Sequence, residues 1–288
     1  MKPPPFAYAR AESLEHALAL LDEAGEDAKV LAGGQSLVPL LAYRLARPTH
    51  LVDIGRLPGL DTLRADDTGL VVGALVRHHE LERSAVLSGP WQVLREAAAL
   101  IGHHPIRIRG TLGGSLAHAD PAAELPVAAT ALDASVTVRS SGGERAIPAA
   151  EFFAGPFMTV LEPEEIVVDL RCPAPPAGLR SAFAEFSPRA GDFAFVSVAV
   201  AVALDDGGRV THARVVLGCV AARPLRAGEA EDALLGSALT EQDIDAAARA
   251  AAAGCDPADG PHASATFRRE LVAVLVGRTL RRLREDHP

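Results

Sequence analysis

The 288-residue chain contains no asparagine, two lysines (Lys2 and Lys29) and three cysteines, Cys172, Cys219 and Cys255. Three widely spaced thiols cannot supply the four thiolates of an ordinary iron–sulfur cluster, and without a C-x-x-C pair the usual nucleus of a zinc site is missing. An odd, scattered set also argues against a disulfide framework and fits a reducing cytoplasm, as does an N-terminal stretch, MKPPPFAYAR, with no apolar secretory core. The longest apolar run, Phe193 to Leu204, falls short of the roughly 18 residues that a membrane span needs. Cations are in deficit too. The 28 lysines and arginines against 37 acidic residues leave a net charge of −9, so no overall basic field recruits nucleic acid. Neither G-x-x-x-x-G-K-[ST] nor G-x-G-x-x-G occurs, which removes the usual support for P-loop and ordinary Rossmann sites, and G-x-S-x-G is also absent.

What remains is a globular composition, 49% apolar and 23% charged, long enough for about two domains at roughly 150 residues each. Leu14, Ala17, Leu18 and Leu21 share a helical face that Gly25 ends. The order strand, glycine turn, helix follows: Ala28 to Leu31, then Gly33-Gly34-Gln35-Ser36, then Leu37 to Ala46. His50 to Ile54 and Leu70 to Val72 read as strands, His78 to Arg83 as a polar helix, and the stretch from Trp91 as a longer helix breaking at Gly102. Helix is expected again over Glu124 to Leu132, and strands over Ala134 to Val138, Glu144 to Ile147 and Glu165 to Arg171. Pro173, Pro175 and Pro176 mark a linker. Beyond it, two β-rich runs joined by Asp205-Asp206-Gly207-Gly208 predict an antiparallel hairpin, Thr240 with Asp243 predicts a helix start, and a long Arg-rich helix begins near Ala263. These signals divide the chain into a small α/β lobe over 1–57, a larger α/β lobe over 58–173, and a C-terminal antiparallel sheet with helices over 178–288, an α+β architecture.

Two segments carry most of the chemical information, Ala32-Gly33-Gly34-Gln35-Ser36 and Thr111-Leu112-Gly113-Gly114-Ser115. Consecutive glycines permit positive φ and close backbone approach, so exposed amides can converge on an anion. Either pair alone also suits a plain tight turn. Two together point to a diphosphate held from both sides, with help from the N-terminus of the helix after Ser36. Arg107 and Arg109 alternate along what reads as an extended stretch, sharing a face that either offsets phosphate charge or meets solvent.

AGGQSLVPL (Ala32 to Leu40), RLARPTHLVDI (Arg44 to Ile54), IRIRGTLGGSLAHADPAAELP (Ile106 to Pro126) and RAGDFA (Arg189 to Ala194) together resemble the FAD-binding medium subunits of the molybdenum hydroxylases. That family includes the carbon monoxide dehydrogenase medium subunit and the flavin parts of xanthine, nicotine and other heterocycle dehydrogenases. The resemblance covers essentially the whole chain. It implies a two-lobed FAD-binding domain of the vanillyl-alcohol-oxidase/PCMH type, followed by the C-terminal sheet. By position it implies Gly33, Gly34, Gln35, Ser36 and Leu37 on one side of the FAD diphosphate, with Thr111, Gly114 and Ser115 on the other. Leu31 and Ala32 would line the ribityl and diphosphate path, Asp120 and Glu124 would lie near the cofactor, Ile166 and Val167 would border the adenine end, and Phe193 would cover the isoalloxazine ring. Ile108 stands where the family often has asparagine, Ser115 where many members do, and Ala184 and Glu185 occupy a stretch that commonly carries a basic residue.

The implied activity is that of an oxidoreductase subunit. It would take electrons from a two-iron two-sulfur small subunit and pass them to an external acceptor, alongside a molybdopterin large subunit, in a dimer of heterotrimers. A self-sufficient FAD oxidoreductase and a non-enzymatic nucleotide-binding assembly protein are the alternatives. His78-His79 and His103-His104 resemble metal ligands, but adjacent histidines point in different directions. His118, Asp120 and Glu124 suggest either proton transfer at the flavin or, for Asp120 before Pro121, simple turn formation. Arg278, Arg281, Arg282 and Arg284 read as a solvated helix face or a docking surface.

Overall fold

The computed structural model describes residues 2–285. Strands β1 (Ala7–Arg10), β2 (Ala28–Leu31) and β3 (His50–Asp53) form a parallel sheet in the order β1-β3-β2. Parallel strands of one sheet need crossovers, and helix α1 (Leu14–Ala24) supplies the one that carries the chain from β1 past the place of β3 to β2. Ser13 Oγ accepts from His16 N at 3.1 Å to start it, and Ala17, Leu18 and Leu21 turn into the core. Helix α2 (Leu37–Ala42) stops four residues before the expected end. Arg44 adopts φ 58°, and the amides of Leu45 and Ala46 both return to Leu40 O, which ends the helix without a glycine.

The second sheet comprises β4 (Leu63–Asp66), β5 (Gly69–Gly73), β6 (Ser135–Ser140), β7 (Gly143–Pro148) and a later strand. Between β5 and β6 lie α3 (His78–Arg83), α4 (Gln92–Leu100), α5 (His104–Arg107), α6 (Leu112–His118) and α7 (Glu124–Ala131). After β7 come α8 (Ala149–Phe152), the small hairpin β8 (Phe153–Gly155) and β9 (Met158–Thr159), and then β10 (Ile166–Pro173). The order is β4-β5-β10-β6-β7, antiparallel throughout. A bulge between Val167 and Asp169 lets β10 serve two cores. Ile166 and Val168 pack with the first sheet, whereas Val167, Leu170 and Cys172 pack with the second.

The stretch holding Arg107 and Arg109 is not extended. Pro105 sits in the first turn of α5, and the amides of Ile106 and Arg107 return to His103 O, so the two arginines do not alternate along a strand.

Past the prolines, β11 (Arg180–Phe186), β12 (Val196–Leu204), β13 (Val210–Gly218) and β14 (Leu225–Arg226) pair antiparallel in sequence order. The Asp205 turn is as expected: its Oδ1 accepts from Gly207 N at 2.9 Å and Arg209 N at 2.8 Å. Helices α9 (Gly228–Leu234), α10 (Glu241–Ala253) and α11 (Ala265–Glu285) cover one face, α10 starting on the Thr240/Asp243 capping box. The other face is shared. Phe183, Ala199 and Val216 belong to the same core as Leu94 and Val127. Glu96 Oε2 accepts from Phe183 N at 2.7 Å and Arg282 Nη2 at 2.6 Å, while Ser181 Oγ donates to Pro90 O at 2.7 Å. Among the described residues no helix is long and apolar enough to cross a membrane.

Candidate cofactor-binding site

Strand β2 carries Leu31 and Ala32, both half-buried, to the edge of the first sheet, where the chain turns through Gly33 to Ser36 into α2. Gly34 takes φ +71°, a conformation that favours glycine. Gln35 Nε2 donates to Gly33 O at 3.1 Å, and Val38 N closes onto Gly34 O at 3.1 Å. Among the described residues, nothing accepts from the amides of Gly33, Gly34, Gln35, Ser36 or Leu37. Five consecutive free donors on a partly exposed turn make a cradle for an anion.

The second segment is built differently from the expected nest. It is the first turn of α6, capped by Thr111, and its amides are already used: Leu112 N donates to Val76 O, Gly113 N to Ala74 O, Gly114 N to Thr111 Oγ1 and Ser115 N to Thr111 O. Hydroxyls remain. Thr111 Oγ1 accepts from Gly114 N at 3.2 Å and keeps its own proton to donate, and Ser115 is half-buried. Gly113 serves packing, since a Cβ there would lie 2.6 Å from Ala74 Cβ. Gly113→Ala is therefore expected to cost about 1–3 kcal/mol in chemical denaturation, by forcing α6 off β5.

The two segments face each other. A Cβ on Gly33 would overlap Arg109 O and sit 2.9 Å from Gly110 Cα. Arg107 takes no part: its guanidinium binds Glu82 at 2.9 Å and the carbonyls of Ile101 and Gly102. Arg109 is exposed, and its guanidinium has no acceptor among the described residues. Gly191, φ +86°, rests on the His103 ring, where a Cβ would come within 2.5 Å of Nδ1. That contact brings the loop from the C-terminal sheet onto the residues leading into α5, and leaves Phe193 69% exposed.

Asp120 forms a turn, its Oδ1 accepting from Ala122 N at 2.9 Å. Glu124, the first residue of α7, is 9% exposed, and burial, with Glu185 and Asp120 nearby, pushes its carboxyl up to about 8. Ile166 and Val167 turn their side chains into the two cores, so only their backbone can border a ligand. His118 lies 5.2 Å from the Phe157 ring, and burial lowers its basicity. His78 is buried. Its Nε2 donates to Thr111 O at 2.9 Å, and burial depresses its pKa to about 4, so it stays neutral and holds the second segment. Sequence reasoning missed this role, and missed the Gly191 contact, because both depend on residues far apart in the chain.

The family described as "FAD binding domain in molybdopterin dehydrogenase" matches residues 4–175, and the "CO dehydrogenase flavoprotein C-terminal domain" matches 181–283. The chain belongs to the FAD-binding medium subunits of the molybdenum hydroxylases. A medium subunit of this family is an oxidoreductase subunit, and its cofactor is FAD. The chain is 49% identical over 280 residues to the 6-hydroxypseudooxynicotine dehydrogenase complex subunit alpha of Paenarthrobacter nicotinovorans, covering 97% of this chain and 95% of that one. It is 38% identical to the carbon monoxide dehydrogenase medium chain of Hydrogenophaga pseudoflava, covering 97% of each. Its structure superposes on quinoline 2-oxidoreductase of Pseudomonas putida 86 with a TM-score of 0.93, at 36% identity over 99% of both chains. The free-amide cradle of this medium subunit fits a cofactor with a diphosphate bridge.

Proposed function

We propose that this medium subunit is the flavin relay of a molybdenum hydroxylase complex. It takes electrons from a two-iron two-sulfur small subunit and passes them to an external acceptor, while a molybdopterin large subunit oxidises the substrate, in a dimer of heterotrimers in the cytoplasm. The observation carrying this reading is the row of unpaired amides from Gly33 to Leu37, set against Arg109 and Gly110. The relatives named as a complex subunit and a medium chain support the division of labour.

In this assignment the first two sheets make up the two-lobed arrangement of the vanillyl-alcohol-oxidase/PCMH type. Bound FAD supplies one- and two-electron exchange. The chain's own residues bind and orient. The Gly33–Leu37 amides hold the diphosphate from one side, the Thr111 and Ser115 hydroxyls donate from the other, and Gly114 leaves room beside them. Leu31 and Ala32 line the path, the backbone at Ile166 and Val167 borders the adenine end, and Phe193 covers the ring. Asp120 fixes the turn before α7. Glu124, protonated at neutral pH, adds no negative charge beside a cofactor that already carries two phosphates.

A direct test is to mix the FAD-loaded chain anaerobically with candidate substrates. The flavin absorbance is expected to hold steady with the chain alone and to bleach only when both partner subunits are added. Bleaching by substrate without partners would favour a self-sufficient oxidoreductase instead.

A further inference from the structure

Segment 31–37 leaves β2 of the first sheet, whereas 109–115 joins α5 to α6 and is tied by Leu112 N and Gly113 N to Val76 O and Ala74 O just past β5 of the second, so the gap between the segments depends on what links them. One guanidinium reaches both sides. Arg77 Nη2 donates to Gly55 O at 3.0 Å, and Arg77 Nη1 donates to Arg109 O. Each of those carbonyls belongs to a residue that touches the first segment. Gly55 abuts Ala32, whose O would lie 3.1 Å from a Gly55 Cβ, and is fixed by its own amide donating to Asp53 Oδ1 at 2.8 Å. Arg109 O is the atom that fills the space beside Gly33.

Arg77 is itself held. Its backbone bridges to Thr111, its amide donates to Glu80 Oε2 at 2.8 Å, and the neighbouring His78 imidazole donates to Thr111 O. Strand end, helix start and second segment thus meet at one residue.

We propose that Arg77 is a positioning residue for the cofactor: its planar fork clamps the Gly55 and Arg109 carbonyls and so sets the spacing at which the amide row and the Thr111 and Ser115 hydroxyls close on the diphosphate. The inference rests on the placement of FAD proposed above. Arginine suits the task because its donors diverge in a fixed plane, whereas a lysine ammonium has no such rigid fork to span two carbonyls. The guanidinium acts through the backbone it holds.

The test titrates FAD into the full-length apo chain, follows flavin fluorescence, and melts the apo protein in parallel. Arg77→Met is expected to weaken FAD binding by about 10-fold or more, as for loss of two charge-assisted hydrogen bonds, and Arg77→Lys to recover part of that loss. In Arg77→Ala, added N-ethylguanidinium is expected to tighten FAD binding again, a rescue that a general loss of packing would not permit. Wild-type affinity in folded Arg77→Met overturns the proposal, even if the apo melting temperature falls. Should the methionine variant fail to fold, wild-type affinity in Arg77→Lys overturns it instead. Gly33→Val, measured alongside, separates the two ideas: full FAD binding by that variant removes the cofactor placement itself, whereas its loss together with unchanged binding by Arg77→Met removes Arg77 alone.

Discussion

Replacing Gly33 with valine is expected to give a folded but colourless protein, with FAD affinity reduced by about 100-fold or more. The reason is spatial. A Cβ at this position would overlap Arg109 O and stand 2.9 Å from Gly110 Cα and 3.0 Å from the Arg109 carbonyl carbon, all backbone atoms that cannot swing aside as a side chain does. The second segment would have to back away, and the opposing donors would no longer meet across one diphosphate. Gly114→Val should be milder, because the atom it meets is Thr111 Oγ1 at 2.8 Å, the tip of a side chain. The check is the ratio of flavin to protein absorbance after purification, with far-ultraviolet circular dichroism to confirm folding. Full flavin occupancy in Gly33→Val would remove the cradle from the binding site.

The second large effect concerns pH. Cross-strand register places Glu185 opposite Ser197 and Ser197 opposite Gly218, while a Cβ on Gly218 would come 2.7 Å from Val127, one turn along α7 from Glu124. Two carboxyl groups therefore share one poorly hydrated region with Asp120, Cys219 and Arg268. Glu185 Oε2, Ser197 Oγ and Arg268 Nε are buried there without a partner among the described residues. Burial pushes Glu124 up to about 8 and Glu185 up to about 7. The folded chain thus keeps protons that the unfolded chain gives up near pH 4.5. Stability falls as pH rises from there, at up to ~1.4 kcal/mol per pH unit for the buried Glu124 until about pH 8, and more gently for the partly hydrated Glu185 until about pH 7.

Glu124→Gln keeps the shape and removes one of the two ionisations. Its unfolding free energy is expected to match the wild type below pH 4.5 and to exceed it by on the order of 2–4 kcal/mol at pH 9. Urea unfolding across that range measures the difference. Parallel curves for the two proteins would show that Glu124 ionises in the folded state as readily as in water.

Much of the fold was legible because its signals are local. The Asp205 hairpin, the Thr240 cap, the α3 boundaries and the amphipathic face of α1 each depend on residues within one or two turns of one another. The first glycine segment was legible for the same reason. The second misled, since its glycines suggest an open turn, whereas Thr111 caps a helix and Ala74 and Val76, more than thirty residues earlier, take up its amides. Arg107 and Arg109 misled through Pro105, which starts a short helix where alternation suggested a strand. Arg77, His78 and the Glu124–Glu185 neighbourhood carried no local pattern, and their environment exists only once distant strands pair.

The seam at Glu96, Ser181 and Phe183 bears on how this polypeptide can be cut. The proline stretch divides the sequence, but a fragment ending there would bare the faces of Leu94 and Val127 that Phe183, Ala199 and Val216 cover, and would strand the Glu96 carboxylate without Arg282. Exchanging the last hundred residues with those of a relative is thus a graft of half a core, and such chimaeras need the matching α4 and α7 carried across with them.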